Sequence, residues 1–168
     1  MEGTKLASRS STISLEAGLR QVFPLFGPIK EKEWADDWDP HILLGEPGRV
    51  EEHMVFQTET GDPEDPGLVT WIVSKYDPNQ ALIEYTVFGQ DRIWWICIKC
   101  RQGESGAATK ATIEYTYFGL NEESARRNQE ALDRMFRQDL RDWEAAINHY
   151  LSAGTLLRQH HPGHDGRG

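Results

Sequence analysis

Two cysteines and a set of tyrosines are the residues of this chain whose types and spacing could do chemistry. Cys97 and Cys100 spell C-I-K-C, the spacing of a redox or metal motif. The segment around them predicts a strand, however, and residues three apart in a strand point to opposite faces. A thioredoxin-type pair needs a helix N-terminus, and a zinc site needs two further ligands. We therefore expect two free thiols, no metal site and no other cofactor.

The tyrosines suggest binding rather than catalysis. Tyr85, Tyr115 and Tyr117 share a strand face with apolar neighbours, so their hydroxyls need partners if that face is buried. An apolar pocket with a few convergent polar groups supplies such partners as water or ligand. No pair of acid and base is evident on this face. The full set of candidate ligand-binding residues is Met54, Phe56, Trp71, Tyr85, Trp94, Tyr115, Tyr117, Phe136 and Leu140. For any single member, simple filling of the core explains the residue equally well.

Other polar candidates have weaker support. Matching the apolar faces of two predicted strands places Glu52 opposite Lys75, which gives either an ion pair at the pocket rim or, as we favour, an ordinary edge salt bridge. His41 lies on a predicted loop that could face the pocket mouth, whereas His53 has outward parity. The histidines near the chain end are His160, His161 and His164, and we expect a loose tail there.

The elements that must position these residues are strands followed by one long helix. Alternating patterns predict six strands, at residues 10–15, 50–58, 68–76, 82–88, 93–100 and 109–118. Two short helical segments follow the first strand, at residues 16–26 and 29–36, and residues 40–48 form a loop. Trp34 and Trp38 are expected to clamp these short helices to the sheet rather than to bind a ligand.

The final helix is the clearest element. Asn121 is a good N-cap, acidic residues occupy the first turn, and Gly154 is a natural stop. Its apolar stripe recurs at spacings of three and four and comprises Leu132, Phe136, Leu140, Trp143 and Ile147. About thirty residues at ~1.5 Å each can cross a whole sheet.

One strand face stays open to two interpretations. If Gln90-Asp91 forms a two-residue turn, Trp94 joins the apolar face and Trp95 lies outside. A three-residue turn would exchange the two tryptophans.

Composition narrows the class of protein. The chain has 18 Lys and Arg against 27 Asp and Glu, a formal net charge of −9, and no basic stripe, so nucleic acid is not an expected partner. No apolar run approaches the ~20 residues of a membrane span. Residues 1–11 lack the hydrophobic run of a secretory signal, so we expect a cytoplasmic protein. The sequence leaves a homodimer open.

Four parts of the sequence carry a family resemblance. They are V-F-P-L-F-G-P-I-K-E-K-E-W-A-D-D-W-D-P (residues 22–40), T-W-I-V-S-K-Y-D-P (70–78), E-Y-T-Y-F-G-L-N (114–121) and the final helix with Trp143. Together they resemble the START-like (SRPBCC) superfamily, which includes relatives of the birch-pollen allergen. The resemblance covers roughly residues 8–153, as a single domain with flexible termini at 1–7 and 156–168. It implies an α+β helix-grip fold. In this fold a curved antiparallel sheet of six to seven strands wraps around a long C-terminal helix, with two short helices after the first strand.

The same resemblance implies an apolar cavity but no fixed catalytic set. The leading hypothesis is the binding of a small hydrophobic molecule, aromatic or lipid-like, between sheet and helix. One alternative is a cyclase or dehydratase acting on a polyketide-like substrate. Another is an interaction module of the chaperone-activator kind, whose outer surface acts. A buried ionisable group beside the tyrosines would favour the enzyme.

Overall fold

A computed structural model describes residues 6–60 and 67–157 of the chain. The strands are β1 (Leu6–Leu15), β2 (His41–Leu44), β3 (Val55–Thr60), β4 (Gly67–Asp77), β5 (Leu82–Phe88), β6 (Arg92–Gln102) and β7 (Thr109–Gly119). Between β1 and β2 lie a short helix α1 (Leu19–Val22) and two 3-10 helices (Phe23–Phe26 and Lys30–Glu33). The long helix α2 (Glu122–Ala153) follows β7.

The strands form one antiparallel sheet in the order β1-β7-β6-β5-β4-β3-β2. The long C-terminal helix packs mainly on β1 and β7. The expected α+β helix-grip fold is therefore confirmed, with seven strands and the short helices after β1.

The main departure from the predicted elements lies between residues 41 and 54. His41–Leu44 forms an edge strand where a loop was predicted, and β3 begins at Val55 rather than at residue 50. A turn closes over residues 51–54, where Met54 N donates to Glu51 O at 3.2 Å. His53 occupies this turn with φ 75°, a left-handed conformation that ends regular pairing.

The helix α2 has the predicted ends. The side chain of Asn121 accepts a hydrogen bond from Ser124 N at 2.9 Å, and Gly154 ends the helix with φ 71°. Four members of the predicted stripe are buried, namely Leu132, Phe136, Leu140 and Ile147. Trp143 is only half-buried, although its ring still packs against the core.

Polar side chains of α2 cover the free edge of β1. Glu144 accepts a hydrogen bond from Ser14 N at 2.7 Å, and Asn148 accepts one from Glu16 N at 2.8 Å. An unpaired strand edge would otherwise expose its backbone donors. The helix thus closes one side of the sheet through hydrogen bonds as well as apolar packing.

The start of α2 lies directly against the end of β7. A Cβ atom added to Gly119 would lie 2.5 Å from Ala125 N and 2.6 Å from its Cα. Only glycine permits this approach, and it fixes where the helix leaves the sheet.

No helix among the described residues is long and apolar enough to cross a membrane.

Candidate ligand-binding site

The inner face of the sheet is organised in two neighbouring rows of side chains. In the first row the paired residues across β3 to β7 are Phe56, Trp71, Val87, Trp94 and Tyr117. In the second, across β4 to β7, they are Val73, Tyr85, Ile96 and Tyr115. Six of the nine predicted ligand-binding residues lie in these two rows. A seventh, Phe136 of α2, packs against the rows from the helix.

The open choice at the β5–β6 turn is resolved. Gly89 N donates to Arg92 O at 2.9 Å, so Gln90 and Asp91 form a two-residue turn. Trp94 therefore lies on the inner face with Tyr85 and Tyr117, as the first alternative predicted.

One group of rings gathers at the β3–β5 side of this face. Phe56 stacks on Trp71 with centroids 5.5 Å apart, and Tyr85 meets Trp71 edge-on at 5.4 Å. Trp38 also meets Trp71 edge-on at 5.4 Å. Edge-to-face contacts of this kind fix ring orientations, so the group forms a rigid aromatic wall.

A second group of rings links the sheet to α2. Tyr117 packs against Trp94 at 5.9 Å and against Tyr115 at 6.1 Å. Tyr115 meets Phe136 of α2 edge-on at 5.9 Å, and its ring also lies 6.4 Å from Trp143. The predicted residues of β6, β7 and α2 are therefore brought together.

The two remaining predicted residues lie apart from these ring contacts. Met54 is buried beneath the loop before β3, where a Cβ on Gly45 would be 3.1 Å from Met54 Cγ. Leu140 is buried on α2, one turn beyond Phe136.

Trp34 and Trp38 anchor the short helices. The Trp34 indole donates to Leu25 O at 2.7 Å, and the Trp38 indole donates to Pro28 O at 2.8 Å. Trp34 is buried against Phe26. Trp38 also forms part of the aromatic wall described above.

Incomplete burial distinguishes this region from an ordinary core. Trp71 and Trp94 point inward but remain half-buried, whereas Val73 and Val87 beside them are fully buried. The main contacts of α2 are with β1 and β7, at one side of the sheet. We call the inner surface of β4–β6, which carries these rings, the aromatic face.

The hydroxyl of Tyr85 already has a protein partner. It donates to Phe26 O at 2.6 Å in a buried hydrogen bond. Burial, then the nearby charge of Glu31, raises the pKa of Tyr85 well above its ordinary value. This hydroxyl therefore ties the short helices to the sheet and is not free for a ligand.

Glu31 is the functional candidate that sequence reasoning missed. Burial of its carboxyl raises its pKa from 4.5 to about 8, while the residue as a whole is half-buried. Its charge also raises the pKa values of both Tyr85 and Tyr115, after burial and, for Tyr115, the neighbouring Tyr117. The structure thus places an ionisable carboxyl beside the inward tyrosines. No motif marks a glutamate within the K-E-K-E run as buried.

Two further polar residues of the inner face were missed although their pattern was legible. Arg92 has the inward parity of Trp94 and Ile96 on β6, and Asn128 lies one turn before Leu132 on the buried stripe of α2. Continuing each apolar pattern by one step would have found them.

The other chemical candidates remain peripheral. Cys97 and Cys100 are free thiols on opposite faces of β6, and burial raises the pKa of Cys100 to about 12. Glu52 accepts a hydrogen bond from Tyr76 N at 3.3 Å instead of pairing with Lys75.

Of the candidate histidines, the two that the structure describes do not contribute to the aromatic face. His41 and His53 are exposed, and His160, His161 and His164 lie outside the described residues. Within residues 6–60 and 67–157, no group of three or more metal-ligating side chains occurs.

Comparison with known proteins supports the fold. No family model matches the chain, and no curated protein matches it significantly. Among solved structures, Zhui aromatase/cyclase from Streptomyces sp. R1128 has a TM-score of 0.69 at 13% identity, covering 90% of this chain and 99% of that one. Norcoclaurine synthase from Thalictrum flavum, in complex with dopamine and hydroxybenzaldehyde, has a TM-score of 0.65 at 11% identity, covering 88% and 87%. Ara h 8.0201 has a TM-score of 0.62 at 11% identity, covering 88% and 99%.

These similarities define the class by fold. The chain has the helix-grip fold of START-like (SRPBCC) proteins. Two of the structures that share it are named as enzymes.

Proposed function

We propose that this protein binds a small aromatic, largely apolar molecule between the aromatic face and helix α2. The observation that carries the proposal is the half-buried state of Trp71 and Trp94 on a face whose neighbouring aliphatic residues are fully buried. Inward aromatic rings that keep accessible surface offer stacking contacts to a flat ligand.

The geometry of the rings supports an aromatic ligand over a flexible chain. Trp71 is held by edge contacts with Trp38 and Tyr85, at 5.4 Å each. Side chains fixed in this way lose little conformational entropy when a ligand binds. The fold relatives point the same way, since one is a norcoclaurine synthase solved with dopamine and hydroxybenzaldehyde.

Native mass spectrometry of freshly purified protein tests this proposal directly. We expect a noncovalent adduct of a few hundred daltons, or, for protein stripped of ligand, saturable one-to-one binding of the neutral probe 2-naphthamide by calorimetry. Trp71→Ala should weaken naphthamide binding about tenfold or more, whereas Trp95→Ala, on the outer face of β6, should leave it unchanged. Equal effects of both substitutions would contradict the proposed location.

A second candidate function is acid–base chemistry, because the half-buried Glu31 lies beside the tyrosines. A carboxyl with a pKa of about 8 changes its protonation state near neutral pH, as a general base or acid must. As carboxylate it would remove a proton from carbon α to a ketone, and the Tyr115 hydroxyl would donate a hydrogen bond to the enolate oxygen that forms. This is the step that ring closure and dehydration of a polyketide-like chain require.

Hydrogen exchange of a model ketone tests the second candidate. In D2O, the wild-type protein should speed the exchange of the methyl protons of 2-acetonaphthone, followed by NMR. The rate should rise as pH passes through about 8, because the carboxylate is the base. Glu31→Gln should remove the acceleration, and exposed Glu46→Gln should keep it. Exchange at the buffer rate with wild-type protein would leave binding as the function.

A further inference from the structure

A buried cation lies at one end of the aromatic face. Arg92, the first residue of β6, is only 5% exposed. Its guanidinium carbon lies 4.8 Å from the centre of the Tyr117 ring, a cation–π contact. Its Nε atom is buried, and within the described residues it has no hydrogen-bond partner. A buried charge is unfavourable unless it is paired, and the face of one ring replaces lost hydration only in part.

A buried amide lies at the same end. Asn128 of α2 is fully buried, and its Oδ1 and Nδ2 atoms have no hydrogen-bond partner in the described part of the chain. Buried amides in proteins are almost always hydrogen-bonded, so two open atoms in one side chain point to a missing partner.

The topology brings these two residues together. Arg92 pairs with Gly119 across β6 and β7, and the backbone of Ala125 contacts Gly119 at the closest approach of helix and sheet. Asn128 follows Ala125 by three residues, almost one helical turn, on the buried stripe. Both side chains therefore lie where the aromatic face meets the first turns of α2.

Their hydrogen-bonding groups are complementary to a carboxylate. A guanidinium carries a permanent positive charge and several donors in a plane, which suits the two oxygens of a carboxylate. The Nδ2 group of Asn128 adds a further donor, and its Oδ1 can accept from a hydroxyl beside the carboxylate. A neutral hydrocarbon ligand would leave Arg92 Nε and both side-chain polar atoms of Asn128 unpaired.

We propose that Arg92 and Asn128 form a carboxylate-binding end of the pocket, so that the ligand is an aromatic molecule with an acidic group at one end. This inference rests on the proposed binding function and specifies its ligand class. The ring of Tyr117 joins the two parts, since it packs against Trp94 and also contacts the guanidinium of Arg92.

Matched pairs of probes separate this inference from simple apolar binding. The pairs are 2-naphthoate with 2-naphthamide and benzoate with benzamide, which differ in charge but hardly in shape. Calorimetry should give at least about tenfold tighter binding of each carboxylate by the wild-type protein. Arg92→Met should remove that preference and change binding of the amides by less than about threefold.

Two further variants control for charge and folding. Arg101→Met removes an exposed arginine from the opposite face of the same strand, and it should keep the preference for carboxylates. Arg92→Lys retains the positive charge, so it should retain part of the preference even if the methionine variant does not fold. Asn128→Leu should lower naphthoate affinity and raise the urea midpoint of the ligand-free protein, because it removes an unpaired buried amide.

The outcomes distinguish the two proposals. Equal affinities for carboxylate and amide, or equal losses with Arg92→Met and Arg101→Met, would overturn the carboxylate site while leaving apolar binding intact. Failure of all four probes to bind would overturn the proposed pocket itself.

Discussion

The raised pKa of Glu31 predicts how the stability of the protein depends on pH, without any ligand. Its carboxyl holds its proton up to a pKa of about 8 in the folded protein, but only to about 4.5 when unfolded. Between these values the folded state binds more protons than the unfolded state. The free energy of unfolding should therefore fall as pH rises from about 5 to about 8.

The variant Glu31→Gln isolates this effect. Relative to the variant, wild-type protein should lose on the order of 2 kcal/mol across that pH range, a reduced value because the residue is half-buried. Urea unfolding at pH 5 and pH 8 measures the difference. Exposed Glu46→Gln should show no such divergence, and parallel pH profiles for wild type and Glu31→Gln would mean that the carboxyl is solvated.

A second prediction concerns Tyr85→Phe. The hydrogen bond of the Tyr85 hydroxyl determines whether stability or ligand selectivity changes more. The substitution leaves the buried Phe26 carbonyl without its donor at 2.6 Å, so we expect a loss of about 1 to 3 kcal/mol of stability. Ligand selectivity should change little. Tyr115→Phe provides the contrast, since its ring faces Phe136 and α2. A larger change in ligand preference than in denaturation midpoint for Tyr85→Phe would contradict this assignment.

At this scale the sequence predicts which residues face inward but not their polar surroundings. Strand parity and helical period placed Trp71, Tyr117 and Phe136 correctly, because both follow from backbone geometry. Glu31 could not be found, because its burial depends on how two short 3-10 helices fold over the sheet. That arrangement comes from long-range contacts such as the Tyr85–Phe26 hydrogen bond.

At the scale of elements, Gly119 tests how tightly the helix is joined to the sheet. Gly119→Ala would force a methyl group to within 2.5 Å of Ala125 N, a backbone atom that cannot move aside alone. We expect a loss of at least about 1 to 3 kcal/mol, the usual range for overpacking. Gly48→Ala is a matched control, because nothing lies within 4 Å of the added atom. Equal urea midpoints for the two variants would exclude this close approach.

The two cysteines test the strand assignment of β6. Opposite faces prevent a disulfide within the folded monomer, so mild oxidant should leave two titratable thiols. Cys97 is half-buried and should react first with an aromatic disulfide reagent at pH 8. Cys100 is buried with a pKa of about 12, so it should react only on unfolding. An intramolecular disulfide, or equal rates for both thiols, would contradict the assignment.

Elements of strong periodicity were predicted well, and the irregular segment before β3 was not. The helix ends followed from Asn121 and Gly154, whose roles are local. The strand β2 was missed because its four residues gain their order by pairing with β3, and His53 gave no sign of a left-handed turn. Trp143 was expected in a buried stripe, and its half-buried state reduces the expected effect of Trp143→Ala to below the ~3 to 5 kcal/mol of full burial.

Across the protein as a whole, Arg92 and Glu31 lie at two different positions along the strands, on the same face of the sheet. Arg92 and Ile96 are four residues apart on β6, which corresponds to about 13 Å along the strand. Ile96 shares its row with Tyr85 and Tyr115, the tyrosines whose pKa values respond to Glu31. A permanent cation and a protonatable carboxyl thus lie on opposite sides of the Trp71–Trp94 row.

This arrangement predicts that a ligand with two polar ends binds in one orientation and with a defined pH dependence. The probes are biphenyl-4-carboxylate and its 4′-acetyl derivative, which adds a ketone at the far end. The ketone can accept a hydrogen bond from Glu31 only while that carboxyl is protonated, so it should improve affinity several-fold at pH 6.5, about 1 kcal/mol. That gain should disappear by pH 9.5, because the pKa of Glu31 is about 8 and an ionised carboxylate repels the carbonyl oxygen. The variant Glu31→Gln keeps a neutral donor, so calorimetry should show the gain in affinity from the ketone at both pH values. If the gain in the wild-type protein did not depend on pH, Glu31 would not contact the ligand.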